Sequence, residues 1–265
     1  MGGFQSPRIW DYIAANAKDE IEAGGWYNSF DGEAFSKAEM EQYVENTYIK
    51  LEPYLAFNGG DKIAVEIGCA SGLTMFRIAP YFQKYIGTDM AKINLKRNAE
   101  IIESRDINNI ELIQCSANEI QGLLSRNWSG KIEIVIMNSV CQYFPDQIYL
   151  DDVILQVLKI LKPGGRFYIG DVLDKEKLNK FKQELMEYQQ MNPDKKINVE
   201  RKGELWISRE YFLELKEHDA VNDVDITNKL FHIENELTKY RYDVIIEKKE
   251  DVNNGRKNCG IAGRN

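Results

Sequence analysis

The sequence is poor in the residues that staple small folds or bind metals. It has four cysteines, Cys69, Cys115, Cys141 and Cys259, and none forms a C-x-x-C pair. That spacing disfavours a disulfide-built secreted fold and a structural zinc site. The six prolines are scattered, and there is no Pro/Gly-rich linker, repeat or low-complexity stretch. One continuous domain is therefore expected. No apolar run reaches the length that spans a bilayer. The opening segment MGGFQSPRIWDY lacks the apolar core of a signal peptide, so a reducing, cytoplasmic setting and no membrane partner are expected. Positive charge is also short, with 34 Lys+Arg against 42 Asp+Glu and a net charge of −8. A nucleic-acid partner needs a cationic footprint, so this balance argues against one and for a small-molecule substrate, free or carried on a protein. What remains is ordinary globular composition, 43% hydrophobic and 29% charged over 265 residues, enough to bury a full core.

Along the chain, residues 1–60 read as a helical cover. Ile9, Trp10, Ile13, Ala14 and Ile21 recur at roughly helical spacing, and Gly24-Gly25-Trp26-Tyr27-Asn28 interrupts them. A second helix from about Ser36 carries Met40, Tyr43, Val44, Tyr48 and Leu51 on one face. Apolar runs then alternate with helical patterns. Strands are predicted at 63–67, 85–88, 110–115, 132–137 and 166–170, the last after a Pro163-Gly164-Gly165 stop. This order predicts a doubly wound α/β fold with a parallel sheet. The end differs. A helix over about 175–190 and another near 208–217 precede two strands, 224–227 and 240–247, with no long helix between them. They predict an antiparallel pair at one sheet edge. Residues 253–265 read as a polar tail, leaving 61–252 as the main domain and about 173–238 as its substrate-side insertion.

The chemistry concentrates where the first strand turns into the first helix of the sheet, Glu66-Ile67-Gly68-Cys69-Ala70-Ser71-Gly72. Gly68 and Gly72 allow a tight turn and close approach of backbone to a ligand. Small residues between them keep the crevice open, and backbone N–H groups face it. Asp89 ends the next strand, 23 residues after Glu66, where a carboxylate accepts hydrogen bonds from ribose hydroxyls. The glycine spacing departs from G-x-G-x-x-G, which weighs against a dinucleotide.

These residues resemble the first motif of class I S-adenosylmethionine-dependent methyltransferases, with Ala70 in place of the middle glycine. Asn138-Ser139-Val140-Cys141-Gln142-Tyr143-Phe144-Pro145 is similar to a segment of the methyltransferase domains embedded in nonribosomal peptide synthetases. Segments 165–172, 204–212 and 235–244, and the entry Gly25-Trp26 to Glu33, extend that likeness over about 24–247. The resemblance implies a Rossmann-like seven-stranded sheet with an antiparallel last strand under an N-terminal helical cover. It also implies a stand-alone relative of the embedded domains. S-adenosylmethionine is the implied cofactor. Glu66, Gly68, Cys69, Ala70 and Gly72 would line its methionine part, Asp89 and Met90 its ribose, and Ser116 and Ala117 its adenine. Asn138 and Ser139 would face the methionine end, and Tyr27 and Phe30 would close over the site from the cover. Asn138, Gln142 and Tyr143 are the candidate catalytic residues.

An amine nucleophile needs little help, because an α-amino group with a pKa of about 7.7–8.0 is partly neutral at pH 7. A hydroxyl would want a general base. The two histidines, His218 and His232, lie in no recognised motif. This favours methylation of an amino group on a small or carrier-bound aminoacyl substrate. O- or C-methylation and an inactive cofactor-binding module stay open, as does entry of His232 into the pocket. Asp171 reads equally as a strand-end contact with solvent, and Glu33, Glu236 and Arg241 as a structural ion network. Only Asn138 and the distant Asp171 stand where metal ligands would converge, so no metal is expected.

Overall fold

The computed structural model describes residues 6–55 and 61–250; the predicted polar tail lies outside them. Its sheet has seven strands: β1 (Ile63–Ile67), β2 (Lys84–Asp89), β3 (Ile110–Gln114), β4 (Ile132–Asn138), β5 (Leu161–Leu173), β6 (Val221–Asn228) and β7 (Arg241–Lys248). Their spatial order is β3-β2-β1-β4-β5-β7-β6. The first five are parallel, and β7 runs antiparallel to both β5 and β6. The strand order reverses between β1 and β4. The crevice outside their carboxyl ends is where such sheets take ligands.

Helices cover both faces. Before the sheet come α1 (Pro7–Asn16), α2 (Glu20–Ala23) and α3 (Lys37–Leu51). Within it lie α4 (Leu73–Ile78), α5 (Lys92–Ser104), α6 (Ile120–Trp128) and α7 (Gln147–Ile160). The later part adds α8 (Leu178–Met191), α9 (Arg209–Glu214) and α10 (Glu236–Lys239). Central strands buried on both sides read as near-continuous apolar runs. Accordingly β1 sends Ile63, Val65 and Ile67 into one core and Ala64 into the other. In β4, Val135 and Met137 join the first core, and Ile134 and Ile136 the second.

The region after α7 differs from expectation. β5 begins at Leu161 and runs through Pro163-Gly164-Gly165 instead of starting at Arg166. A bulge absorbs the break, with the pairing register shifting between Ile132 and Ile134. A Cβ on Gly165 would meet three backbone carbonyl oxygens at 2.9–3.2 Å, so only glycine fits there. Proline is tolerated because a bulge asks for no ladder N–H. β6 also starts earlier than predicted, at Val221. It forms the outer edge, and β7 lies between it and β5, with Tyr242, Val244 and Ile246 fully buried.

Helix α3 is the second departure. Met40, Tyr43 and Leu51 are buried as expected, but so are Asn46 and Thr47. A polar row on this helix grips the segment between β6 and β7. Glu39 accepts from Asn235 Nδ2 at 3.0 Å, Gln42 Nε2 donates to Ile233 O at 2.9 Å, and Asn46 Oδ1 accepts from Leu230 N at 2.8 Å. Lys50 completes the row, donating to Asn228 O at 2.6 Å.

The row ends on a buried carboxylate, Asp243. It accepts from Asn46 Nδ2 at 3.0 Å, Lys50 Nζ at 2.5 Å, Lys229 Nζ at 3.0 Å and Asp171 N at 2.8 Å. Burial opposes its charge, but Lys229 and Lys50 outweigh that and hold the carboxyl well below its usual range. The stability it lends is therefore present above about pH 4 and is lost as pH falls further. Asp171 belongs to the same cluster. It is fully buried, paired with Arg241, and 3.5 Å from Lys229 Nζ, which corrects its reading as a solvent contact. Arg241 lies 3.6 Å from Glu236, whereas Glu33 is exposed and pairs with neither. Removing one member of a buried ion pair leaves the other charge uncompensated, at a cost of about 3–5 kcal/mol. Asp243→Asn should lower unfolding stability by that amount in urea titration at pH 7. The variant should also lose much of the wild-type stability decline below pH 4.

Candidate functional site

At the carboxyl ends of β1, β2 and β4 lies a cleft of about 1010 Å³, counted out to open solvent. Its floor is the loop after β1. Gly68 N and Cys69 N both donate to Thr88 O at 2.8 Å, which ties the loop to β2. Gly68 has φ +74°, and a Cβ there would lie 2.5 Å from Val140 Cγ2 on the opposite wall. Ala70 also takes the left-handed region, at φ +42°, at the position where the resembling motif has glycine. Its β-carbon makes that conformation costly. Two contacts hold the backbone there: Ala70 N donates to Asp89 Oδ2 at 2.8 Å, and Asn98 Nδ2 donates to Ala70 O at 2.8 Å.

Two carboxyl groups line the cleft, Glu66 and Asp89. Asp89 Oδ1 accepts from Ala91 N at 2.7 Å, so its two backbone bonds leave further lone pairs for ligand hydroxyls. Burial pushes the Asp89 carboxyl up, against the backbone N–H groups of Ala91, Ala70 and Met90. Glu66 accepts from the Tyr85 hydroxyl at 2.8 Å. Burial raises its carboxyl from 4.5 to about 8; the Tyr85 hydrogen bond opposes the rise, and Asp89 adds to it. Glu66 is thus mostly protonated at neutral pH, and a cation bound beside it would favour the carboxylate.

The walls are aromatic: Trp10, Trp26, Tyr43, Tyr143, Phe144 and Tyr149. Trp10 meets Tyr143 edge-on at 4.9 Å, and Trp26 packs on Tyr43 at 4.5 Å. Burial pushes the Tyr143 phenol up to about 12, with Arg241 opposing, so it keeps its proton. Asn138, ending β4, donates to Thr47 Oγ1 at 2.8 Å from its Nδ2, and its Oδ1 has no partner. Neither histidine lines the cleft; His232 is exposed on the outer side of α3.

Of the residues expected in the site, Glu66, Gly68, Cys69, Ala70, Asp89, Met90, Ala117, Asn138, Ser139 and Tyr143 line the cleft. Five do not. Tyr27 is 42% exposed and pairs with Ala34 in an isolated bridge. Phe30 packs at 5.7 Å on Phe181 and 5.6 Å on Tyr188, in a separate apolar cluster. The cover is instead made by Trp10 and Trp26, beside Gly24 and Gly25. Ser116 turns away to cap the next turn in a mutual box with Glu119, and Ala117 alone faces the cleft. Gly72 sits behind the loop at φ +85°, where a Cβ would strike Phe76. Gln142 is buried behind Ser139, donating to its Oγ at 2.8 Å.

Sequence reasoning passed over Asn94 and Asn98. Both face inward from α5, Asn94 lining the cleft and binding Ala23 O at 3.1 Å. Two asparagines four apart inside a helix, where they are weak helix formers, are the signal that was there to find. Trp26 lines the cleft while also packing on Tyr43.

A family profile described as a methyltransferase domain matches residues 59–217. The chain is 32% identical over 266 residues to chondramide synthase cmdD of Chondromyces crocatus, covering 92% of this chain and 6% of that protein. It is 31% identical over 227 residues to the probable nonribosomal peptide synthetase CymA of Salinispora arenicola, covering 84% of this chain and 3% of that protein. The chain thus spans only a small part of the curated relatives it matches. Among solved structures, the N-methyltransferase NodS of Bradyrhizobium japonicum, in complex with S-adenosyl-L-homocysteine, superposes with a TM-score of 0.59 at 14% identity. That match covers 92% of this chain and 98% of NodS and shows a shared fold. The fold, the loop after β1 and the acid ending β2 define an S-adenosylmethionine-dependent class. The chain belongs to the methyltransferase-domain family.

The site fits that cofactor. It holds a glycine cradle that a Cβ would fill, a buried carboxyl beside the cradle, an acid with free lone pairs, and aromatic faces that favour a sulfonium. When bound, the cofactor supplies an electrophilic methyl group. Between pH 4.5 and 8 the folded chain keeps a proton on Glu66 that the unfolded chain has released, so stability falls as pH rises through this window. Glu66→Gln should flatten that fall, seen as a gain in thermal midpoint at pH 8 relative to pH 5. It should also abolish the proton release that calorimetry in buffers of different ionisation heat detects when S-adenosylmethionine binds below pH 8. Asp89→Ala should weaken the same binding by about 1–3 kcal/mol; unchanged affinity in a folded variant would displace the ribose from Asp89.

Proposed function

We propose that the chain moves a methyl group from S-adenosylmethionine to an amino group of a small or carrier-bound aminoacyl or peptidyl substrate. The carrying observation is the polar lining where β4 ends. There the polar residues Asn138 and Ser139 line the cleft, side chains of the kind that orient an N–H donor. An amine placed there needs orientation and exclusion of water more than a base. Glu66, Gly68, Cys69, Ala70, Asp89, Met90 and Ala117 hold the cofactor in this reading. Asn138 and Tyr143 orient the acceptor, with Gln142 behind them. The likeness to cmdD and to the peptide synthetase CymA supports an aminoacyl substrate. The acidic balance of the chain supports a partner other than nucleic acid. Among the described residues no helix is long and apolar enough to cross a membrane.

The test is calorimetry with S-adenosylmethionine and, in parallel, NAD, followed by mass spectrometry of free and thioester-bound amino acids. Binding of the first alone and a gain of one methyl on nitrogen are the expected results. A methyl on oxygen or carbon would replace the amine reading while keeping the cofactor.

A further inference from the structure

Helix α3 brings Tyr43 to the cleft wall, and only 4% of the residue is exposed. Its ring is held in place. Trp26 packs on it at 4.5 Å, and Lys229 Nζ lies 5.3 Å from its centroid. Its hydroxyl, in contrast, makes no hydrogen bond to any described residue. A buried hydroxyl left unpaired is costly, and one on a cleft wall points to a ligand that pairs it. The Ser139 hydroxyl, on the same lining, shows the difference. It donates to Asp171 Oδ2 at 2.7 Å and accepts from Gln142 Nε2 at 2.8 Å, so the protein itself holds it. Tyr43 also borders a small hollow behind the cleft, between α3 and the segment after β6. The polar side chains there, Gln42, Asn46, Lys229 and Asn235, all have partners of their own. Burial pushes the Tyr43 phenol well above its usual range; Asp171, Tyr168 and Glu66 add to the rise, and Arg241 opposes it. The phenol therefore keeps its proton. Glu66 lies on β1 and Asp171 on β5, with β4 between those strands, so these two acids flank the end of β4.

We infer that Tyr43 binds the methyl acceptor and selects an amine with a neighbouring carbonyl, the α-aminoacyl unit. The inference rests on the amine reading above. A neutral phenol has one proton to give and lone pairs to receive. An α-aminoacyl group offers the complement, an N–H on one carbon and a carbonyl oxygen on the next. The phenol gives its proton to the carbonyl and accepts the N–H. The amine lone pair then stays free to meet the methyl carbon. The N–C bond forms, the S–C bond breaks with its electron pair left on sulfur, and the product ammonium later sheds its proton to solvent. An amine without the carbonyl takes the phenolic O–H on its own lone pair, which hinders attack. A site built to pair a polar group rejects a ligand that lacks the complement, because its own group is then left unpaired.

The probes are the N-acetylcysteamine thioester of alanine and the 2-aminopropyl thioether of N-acetylcysteamine, which has a methylene in place of the carbonyl. The wild type should methylate the thioester amine with a kcat/KM at least tenfold above that for the thioether. Tyr43→Phe keeps the ring and removes only the oxygen. It should lower kcat/KM for the thioester at least tenfold and leave the thioether within threefold, so that the preference disappears. The Kd for S-adenosylhomocysteine should change less than threefold. A merely structural Tyr43 would lower both probes together or weaken S-adenosylhomocysteine binding, and either result would overturn the inference. So would methylation of the thioester by Tyr43→Phe at the wild-type rate. Should Tyr43→Phe fail to fold, the wild type alone decides: equal kcat/KM for the two amines would overturn the selection and leave the amine reading standing. Methylation of neither amine by wild type that binds S-adenosylmethionine would overturn both.

Discussion

The buried carboxylate of Asp243 is the constraint on which the rest of the molecule leans. Its four donors come from three places: helix α3, the segment after β6, and the backbone at the end of β5. Asn46 and Lys50 bring the cover, Lys229 the late connection, and Asp171 N the strand beside the cleft. An ionised carboxylate has about four lone-pair sites, and here all are used. Burying that many charges is tolerable only because each is paired and hydrogen-bonded. In return the reversed edge of the sheet, the cover and the cleft wall share one fixed geometry.

The same cluster sets two electrostatic regimes a few residues apart. Around Asp171, Asp243 and Arg241 each charge has a partner of opposite sign. In the cleft Glu66 has only the Tyr85 hydroxyl and the like charge of Asp89 for company, so burial neutralises it instead. A cation bound beside such a neutral acid would shift it toward the carboxylate. A cleft prepared in this way costs the free protein less than a permanently unpaired carboxylate would.

Local strain also gathers at the cleft. Ala70, Ser139 and Asp171 all adopt positive φ without being glycine, and all three stand at the carboxyl ends of β1, β4 and β5 or in the loops that follow. Each is over-determined by hydrogen bonds: Ala70 by Asp89 and Asn98, Ser139 by Asp171 and Gln142, and Asp171 by Asp243. Strain persists where the surroundings enforce it, and enforcement of this kind marks functional loops.

Much of this was legible in the chain. Apolar runs of strand length alternating with helical spacing specify a parallel sheet, because such strands must be buried on both faces. The E-x-G-x-A-x-G turn and the acid ending the next strand place the floor of the cleft, because a tight glycine turn and a strand-end acid have local signatures. The bulge through Pro163-Gly164-Gly165 was not legible, since proline and glycine look like a stop until a partner strand absorbs the extra residue. Nor was the cover, where Tyr27 and Phe30 seemed the aromatic lid and Trp10 and Trp26 took that place. Which aromatic faces a ligand depends on how a short helix docks, and periodicity carries no information about docking. Least legible was the ion cluster, assembled from residues as far apart as Asn46 and Asp243. Pattern along the chain determined the elements and the glycine loop, because these follow from neighbours in sequence. Only tertiary structure decided which charges meet and which aromatic rings face the cleft, because those depend on contacts between residues far apart in the chain.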